Sequence, residues 1–346
     1  MRAMRNVAAI WFAVVGVVSA CDGSGDDAAV SSRSEVMNAP VLNAAALNGW
    51  SLNGFRTNGW SLNGWSLNGW SLNGWSLNSV QLVGSSFSGV KTVGGQAVAV
   101  SGTAMIGSQL TLQRDGVAYT LRFDNIYKDP AKPAGDVYFH KVSVLDPGTG
   151  TWSSLCRDAH GQPTEAIALA NHWNPTTGAR VDDAAAVTLA CRDAVLAKCV
   201  EWGYRPWASA TRCVGGTCTQ VSLADYHQAC TRMARADYCG DGTPHTFNGT
   251  PIDIYDRLSA AVQTESTKGL SNWAIEAEWG PNGAVCVGDE LRLKMFDDLG
   301  ISYDYPECLD AIDDFSDCGS FRASRGAKVA NRYCSEWTDD PAECDE

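Results

Sequence analysis

The sequence predicts an α+β protein in which a pentad-repeat tract precedes a β-rich segment and a disulfide-rich α+β domain. Three observations support this prediction: Leu-Asn-Gly-Trp-Ser units recur early in the chain, short strand-like runs follow them, and the cysteines are concentrated in the second half. We expect a signal peptide over 1–20, a tether over 21–41, the repeat over 42–91, the β-rich segment over 92–155 and the cysteine-rich domain over 156–346.

The first residues indicate export. Arg2 and Arg5 precede an apolar run, Val7–Val18, that is too short for a membrane span. The run leads into Val-Ser-Ala-Cys21, which resembles the lipobox of bacterial lipoproteins. That resemblance implies that Cys21 becomes the lipidated N-terminal residue. We therefore expect the protein to be lipid-anchored in the bacterial cell envelope, on the periplasmic face or at the cell surface.

Cysteine usage agrees with export. The chain has thirteen cysteines, and 13 − 1 = 12 remain after Cys21, an even number that suits disulfides in an oxidising compartment. No C-x-x-C occurs, which argues against zinc ribbons and thioredoxin motifs. Cys213 and Cys218 flank a Gly215-Gly216 turn, so we expect them to pair across a hairpin. The disulfide cysteines whose partners the sequence leaves open are Cys156, Cys191, Cys199, Cys230, Cys239, Cys286, Cys308, Cys318, Cys334 and Cys344.

The net negative charge of the chain argues against anionic partners. The net charge is −13 at pH 7, and no run of basic residues occurs. Because nucleic acids and anionic lipids bind through clustered Lys and Arg, this balance disfavours both as partners. We expect the lipid on Cys21 to attach the protein to the membrane, a glycan or protein as the ligand, and no nucleic-acid binding.

The pentad tract fits neither regular secondary structure. A period of five rotates each unit by about 140° on an α-helix and flips alternate units on a strand, so no apolar stripe forms. A turn at each Asn-Gly would resolve this by forming a short β-solenoid, and the tract resembles the pentapeptide-repeat family. That family places a small residue where this chain has Trp. A disordered low-complexity linker is the alternative interpretation.

The tract also carries the candidate ligand-binding side chains. Indole rings at fixed spacing suit stacking on sugar rings or insertion into a lipid interface. The side chains concerned are Trp60, Trp65, Trp70 and Trp75. Packing of these rings between solenoid coils is the structural alternative, because burying half a Trp is worth about 1–2 kcal/mol.

Four helices are predicted in the cysteine-rich half, and two of them, Asp289–Leu299 and Glu307–Phe315, are short. Over 182–202, apolar residues and Cys191 and Cys199 recur at i+4 on one face. Ser222 is a suitable N-cap for a second helix that extends to about Ala236. On that helix His227 lies opposite the apolar face, so we expect it to be solvated.

The segment after the second helix carries a family resemblance. Its centre reads Arg-Ala-Asp-Tyr-Cys-Gly-Asp-Gly over 235–242 and resembles the signature of the ADYC domain, a bacterial family. Further motifs that look like the family's pattern are Ala190-Cys-Arg192, Lys198-Cys-Val200, Trp202-Gly-Tyr-Arg-Pro-Trp207, the run from Asn248 to Asp256 and the run from Glu276 to Cys286. The resemblance spans roughly residues 80–290. It implies a secreted or lipid-anchored domain and brings no catalytic residues.

The same segment contains the candidate site residues. His245 with Asp241 or Asp253 could form an acid–base pair. Carboxylates at positions 237, 241, 253 and 256 are also dense enough for a calcium loop, although their spacing does not match an EF-hand. A disulfide-pinned turn, with Gly240 and Gly242 at positive φ, is the favoured interpretation. We therefore expect no cofactor, with calcium as the alternative, and no other metal.

These observations favour a non-catalytic binding or structural surface module with a glycan or protein ligand. The alternative is a secreted enzyme, hydrolytic or peptide-modifying, that acts at the Ala-Asp-Tyr-Cys turn or on the Trp repeat. No G-x-S-x-G, Walker A or H-E-x-x-H motif occurs to support a particular reaction.

Overall fold

The computed structural model describes backbone and side chains for most of the chain between residues 75 and 334. Also described are 35–37, 62–66 and 71–72; the gaps within the main range are 94, 115–116, 133, 147, 159–160, 184–185, 193, 247–249, 260–262, 267, 270–271, 295, 297–299, 301–304, 313–316 and 322–324. All of these described residues belong to one compact unit, Arg33–Glu346.

The described elements are mainly strands, with two α-helices and two 3-10 helices. The strands are β1 Glu35–Met37, β2 Leu62–Ser66, β3 Ser71–Leu72, β4 Trp75–Val83, β5 Ser86–Val93, β6 Gln96–Ser101, β7 Gln109–Arg114, β8 Val117–Lys128, β9 Tyr138–Leu145, β10 Trp152–Ser154, β11 Cys156–Arg157, β12 Pro163–Thr164, β13 Ala166–Ala170, β14 His172–Trp173, β15 Arg180–Val181, β16 Ala186–Cys191, β17 Ser209–Val214, β18 Thr217–Ser222, β19 Pro251–Tyr255, β20 Leu258–Ser259, β21 Trp273–Gly280, β22 Gly283–Val287 and β23 Val329–Cys334. The helices are α1 Val195–Trp202, α2 Ala224–Arg235 and the 3-10 turns Gly102–Met105 and Glu307–Asp310.

Two antiparallel sheets organise these strands. The larger sheet follows the order β2-β16-β13-β9-β8-β7-β3-β4-β5-β6, with β10 beside β9. The smaller sheet follows the order β1-β19-β23-β21-β22, and β18-β17-β20 form a separate three-stranded sheet. The fold class is therefore a β-rich α+β domain, as the sequence predicts in outline.

The centre of the large sheet is covered on both faces. Along β13, Ala166 and Ala168 contribute to a core with Phe123 and Leu189, whereas Ile167 and Leu169 contribute to a second core. The second core also contains apolar side chains of α1. A strand between two cores needs no polar alternation, which explains why β13 reads as a continuous apolar run.

The helix predicted over 182–202 is wrong in its first half. Ala186–Cys191 forms β16, whose six residues are all buried between β13 and β2. Residues spaced by four in a doubly buried strand imitate the apolar face of a helix, so periodicity alone misassigned them. Of the described residues in this range, Val195–Trp202 are helical, and Gly203 ends the helix at positive φ.

The large sheet extends across residue 155, where the sequence placed a boundary. β9 pairs with β13 through His140 opposite Ala166 and Phe139 opposite Ile167. Strands of the β-rich segment and of the cysteine-rich half thus share one hydrogen-bonded sheet.

The described part of the pentad tract forms antiparallel strands. β4 pairs with β5 and β5 pairs with β6, so these three strands form an antiparallel meander. Leu82 and Phe87 pack into the large-sheet core from the decayed end of the repeat. Residues 42–61, 67–70 and 73–74 of the tract lie outside the described residues, so the choice between a solenoid and a disordered linker stays a prediction.

Helix α2 is buried almost along its whole length against β21, β22 and β23. The second predicted helix is confirmed as Ala224–Arg235, but its N-cap is Leu223 and not Ser222. Ser222 ends β18, and its Oγ accepts a hydrogen bond of 3.2 Å from the Ala224 amide. The expected solvation of His227 is wrong. His227 is 0% exposed and its Nε2 lies 2.9 Å from the Leu196 carbonyl oxygen, because α1 covers the second face of α2.

Disulfides join distant elements of the domain. The described pairs are Cys156–Cys191, Cys199–Cys230, Cys213–Cys218, Cys239–Cys308 and Cys286–Cys318, and Cys334 is disulfide-bonded as well. The Cys213–Cys218 pair is the one that the hairpin spacing predicts. So many disulfides indicate an oxidising, extracytoplasmic location. Among the described residues no helix has the length and apolar character needed to cross a membrane.

Candidate functional site

The Ala-Asp-Tyr-Cys segment begins where α2 ends. Ala236 takes the left-handed conformation, at φ 50° and ψ 44°, and turns the chain back toward the helix. Asp237 then meets Arg232 in a fully buried ion pair of 2.5 Å, and both its carboxylate oxygens accept from the Gly242 amide. Arg232 also donates to the carbonyl oxygens of Thr177 and Pro281. Asp237 thus links the helix end, the turn and two distant loops.

Tyr238 leads into a buried polar network on the small sheet. Its hydroxyl donates a hydrogen bond of 2.6 Å to Glu276 Oε1, and its ring stacks on Trp279 with centroids 5.2 Å apart. Arg292 binds both oxygens of Glu276 at 2.6 Å, and Asn331 bridges Glu276 to the Trp279 indole. Burial, then the nearby Glu276 carboxylate, raises the pKa of Tyr238 well above its ordinary value. Tyr238 therefore stays a neutral donor.

The rest of the segment is held by covalent bonding and close backbone contact. Cys239 is bonded to Cys308 in the second 3-10 turn. Gly240 is at φ +68°, and a Cβ on it would lie 1.9 Å from the Asn282 carbonyl oxygen. Gly242 is at φ +94° and would place a Cβ 2.1 Å from the Thr176 carbonyl oxygen. Only glycine fits at these two positions because both the backbone angle and the space exclude a side chain.

The Trp-Gly-Tyr-Arg-Pro-Trp motif is held in place by side-chain hydrogen bonds to distant carboxylates. Tyr204 is buried and donates to Asp256 Oδ2 at 2.9 Å, which joins this motif to the end of β19. Arg205 and the indole of Trp207 both donate to the carboxylate of Asp136, in the loop before β9. The motif therefore ties the small sheet to the large one.

The Ala-Cys-Arg motif is also held by contacts with other elements. Cys191 is bonded to Cys156, and Arg192 forms ion pairs with Glu165 at 3.3 Å and Glu201 at 2.9 Å. The Arg192 guanidinium also lies 4.1 Å from the centre of the Phe139 ring. The motif fixes the end of β16 against α1.

A comparison with protein families shows to which family the chain belongs. The model of the ADYC domain matches residues 102–293, which is more than half of the 346 residues. The chain belongs to the ADYC domain family. No curated protein and no solved structure matches the chain.

In this ADYC domain the motifs are bound to one another. Tyr238 of the signature binds Glu276 of the Glu-Ala-Glu-Trp motif, and Tyr204 binds Asp256 of the Ile-Asp-Ile-Tyr-Asp run. Cys199 of the Lys-Cys-Val motif is bonded to Cys230 of α2. The family's signature thus reads as a set of buried contacts that fix the fold.

The three acid–base candidates occupy different surroundings within the ADYC domain. The His245 ring packs at 6.0 Å from the Tyr238 ring, and its amide donates to the Arg235 carbonyl oxygen. Asp241 is exposed and accepts from the Thr243 amide at 2.8 Å. Asp253 is buried on β19 and accepts from Gln263 and Ser266 at 2.5 Å each; burial raises its pKa. Their role as an acid–base pair stays a prediction.

The carboxylates considered for calcium are engaged by protein groups. Asp237 pairs with Arg232, while Asp256 accepts from Tyr204 and from the Leu258 amide at 2.8 Å. In the described part of the chain, the group whose ligand atoms lie close enough to hold an ion is Glu278, Cys286 and Cys318, all buried. The two cysteines are joined as a disulfide, so a cation could use their sulfurs as thiolates only after reduction.

Several predicted site residues lie beyond this description. Cys21, Trp60, Trp70 and Cys344 are outside the described residues. Trp65 lies in β2 and Trp75 in β4, and only the backbone of these two residues is described. Their proposed roles in lipid attachment and ligand binding stay predictions.

Four residues of the buried network were not predicted as site residues from the sequence. These are Arg232, Glu276, Arg292 and Asn331, whose side chains are at most 1% exposed. Arg232 carried a partial signal, since Asp237 follows it closely in the sequence and a buried Arg requires an acidic partner. Arg292 and Asn331 carried none, because their partners are 16 and 55 positions away from them.

Proposed function

We propose that the chain is a lipid-anchored cell-envelope module without catalytic function, which binds a glycan or protein ligand at its surface. The observation that supports this is the engagement of the signature itself. Asp237, Tyr238 and Cys239 are bound respectively to Arg232, Glu276 and Cys308 inside the domain. Side chains so engaged hold the fold and leave ligand contact to other residues.

Ligand binding is assigned to the Trp residues of the pentad tract. Trp side chains provide large contact areas with few rotatable bonds, which makes them the usual anchors of carbohydrate and protein interfaces. A domain pinned by disulfides would present such a tract on a rigid base.

The test compares two kinds of variant in protein purified from its native membrane. Co-sedimentation with purified peptidoglycan and chemical crosslinking in intact envelopes measure glycan and protein binding separately. The double substitution Trp65→Ala and Trp75→Ala should weaken either glycan binding or protein binding by about tenfold or more. The melting temperature should change little. The matched control is Tyr238→Phe, which should lower the melting temperature without changing binding by the folded fraction.

The opposite outcome would support the enzyme interpretation. Any turnover by the purified protein that His245→Gln or Asp241→Asn abolishes, with the fold retained by circular dichroism, would overturn the proposal. Unaltered binding in the Trp variant would remove the assignment to the tract.

A further inference from the structure

The hairpin β17–β18 projects beyond the strand that supports it. Among the described residues, β17 pairs with β20 at Thr211 and Arg212, and the residues from Cys213 to Cys218 extend past that contact. A Cβ placed on Gly215 or Gly216 at the turn would meet no atom within 4 Å. Val214 beside the turn is 62% exposed. The hairpin tip is therefore open to solvent and to other molecules.

The tip carries an exposed disulfide. Cys213 and Cys218 face each other across the ladder, with Cα atoms 4.0 Å apart, and both are exposed. The other described disulfides lie deeper. Those between Cys156 and Cys191, Cys199 and Cys230, and Cys286 and Cys318 are buried, and that between Cys239 and Cys308 is half-buried.

Exposure decides which disulfide can exchange. A thiolate must approach one sulfur along the S–S axis, and protein atoms around a buried disulfide prevent that approach. Exposed disulfides are more labile than buried structural ones. The tip has the open space that this approach requires.

Opening this disulfide leaves the hairpin intact. Six residue pairs, from Ser209 with Ser222 to Val214 with Thr217, hold β17 against β18, and β20 supports the base. The bond closes a loop of only a few residues, so its loss frees little chain entropy in the unfolded state. Two thiols held opposite each other in a folded hairpin can close again without refolding.

We propose that Cys213–Cys218 is a thiol–disulfide exchange site whose substrate is an accessible thiolate. The incoming R–S⁻ attacks one Sγ; the R–S–Sγ bond forms as the Sγ–Sγ bond breaks, and the electron pair leaves on the other cysteine as a thiolate. A second R–S⁻ then releases R–S–S–R and a second cysteine thiolate, and solvent protonates both cysteines. Two external thiolates are oxidised, and the hairpin disulfide is reduced by the same two electrons. This site is independent of the ligand-binding function proposed above.

The first experiment measures the order in which the disulfides open. The folded protein is equilibrated in buffers of increasing ratio of reduced to oxidised glutathione, quenched in acid, alkylated and mapped by mass spectrometry. Cys213 and Cys218 should become alkylated at a ratio about tenfold or more below that needed for Cys156 and Cys191, with the near-ultraviolet circular dichroism unchanged. Opening at the same ratio as Cys156–Cys191, or only with loss of that signal, would overturn the proposal.

A matched control moves the crosslink two residues toward the base. T211C/Q220C in a C213S/C218S background places the disulfide in the same face of the ladder, at a position that β20 supports. This crosslink should open at a higher ratio than the native one. Equal opening would show that the hairpin tip confers no special reactivity, which also overturns the proposal.

The source of the thiolate is resolved with single variants. Cys218→Ser leaves Cys213 free, and this thiol is offered oxidised glutathione or an oxidised dimer of a short cysteine-containing peptide. Faster adduct formation with the peptide indicates a protein thiol as substrate, and faster formation with glutathione indicates a small thiol. No adduct with either compound contradicts exchange at the tip. If the variant fails to fold, the glutathione titration of the unmodified protein still decides.

Discussion

The Tyr238 hydroxyl donates a hydrogen bond of 2.6 Å to Glu276 Oε1, and both side chains are fully buried although they lie 38 positions apart in the chain. This bond joins the segment after α2 to the centre of the small sheet. It makes the family's signature tyrosine a tertiary contact, and it can be tested by substitution.

Tyr238→Phe should lower the free energy of unfolding by about 1–3 kcal/mol, because Glu276 loses one buried donor. Equilibrium denaturation with the disulfides intact measures this change. Tyr305→Phe is the matched control, since Tyr305 is 56% exposed, and it should change stability by less than about 0.5 kcal/mol. Equal effects of the two substitutions would contradict a structural role for the Tyr238 hydroxyl.

Arg292→Met should be more damaging than loss of that hydroxyl. Removing the guanidinium leaves the Glu276 carboxylate buried without its cation, which costs about 3–5 kcal/mol. Arg122→Met is the comparison, because Arg122 and its partner Asp124 are about one-third exposed and such pairs contribute about 0–1 kcal/mol. Urea denaturation of both variants provides the measurement. A small effect of Arg292→Met would mean that water or another side chain replaces the cation.

Gly240→Ala should prevent folding or cost more than about 4 kcal/mol, since its Cβ would overlap the Asn282 carbonyl oxygen. Gly95→Ala isolates the effect of backbone angle. Gly95 is at φ +81° with nothing within 4 Å of a Cβ, so its substitution should cost only about 1–2 kcal/mol. Yield of folded protein and melting temperature distinguish the two. Similar losses at both positions would show that the backbone angle alone is responsible.

Stability should fall as the pH falls toward 4, in part because of His140 and His227. Burial lowers the pKa of each from 6.5 to about 4. The unfolded chain therefore binds these protons more tightly, so the contribution to stability is present above pH 6.5 and is lost as the pH falls through 6.5 toward 4. For each histidine the loss reaches about 3 kcal/mol.

The variant His227→Gln tests this dependence, because glutamine does not titrate and can donate to the Leu196 carbonyl oxygen. The difference in unfolding free energy between pH 7 and pH 4.5 should be smaller in the variant than in the unmodified protein. An identical pH profile for both proteins would show that His227 does not contribute.

Cys21→Ser should abolish lipid attachment. Metabolic labelling with an alkyne fatty acid should mark the unmodified protein in a membrane fraction, and the variant should carry no label. A matched substitution, Ser24→Ala, leaves the cysteine in place and should retain the label. Labelling of the Cys21→Ser protein would contradict the lipobox assignment.

Local structure could be predicted from the sequence where the interacting residues lie within one short stretch. The Cys213–Cys218 hairpin follows from spacing over a few residues, and the second helix follows from its own apolar pattern. The structure has both, although the N-cap of the helix is Leu223 and not the predicted Ser222. The family resemblance over roughly 80–290 is confirmed by the match over 102–293. In each case the deciding atoms are close in the sequence or belong to one motif.

Predictions from local sequence patterns were wrong where a segment is buried on two sides. The helix prediction for β16 and the predicted solvation of His227 are wrong for the same reason. Both are buried between two layers of structure, and the pattern of one segment does not show which other segments pack against it. The second layer comes from residues far away in the chain, such as α1 against His227.

The sequence by itself determined the class of protein: an α+β chain of the ADYC family, rich in disulfides, with a lipobox-like Cys21 and a tract of repeated Trp. Only the tertiary structure decided what the signature does. Asp237, Tyr238 and Cys239 have partners on other elements, at Arg232, Glu276 and Cys308. A hydrogen bond, an ion pair or a disulfide depends on the distance between two groups in space, and that distance is set by folding rather than by position in the chain.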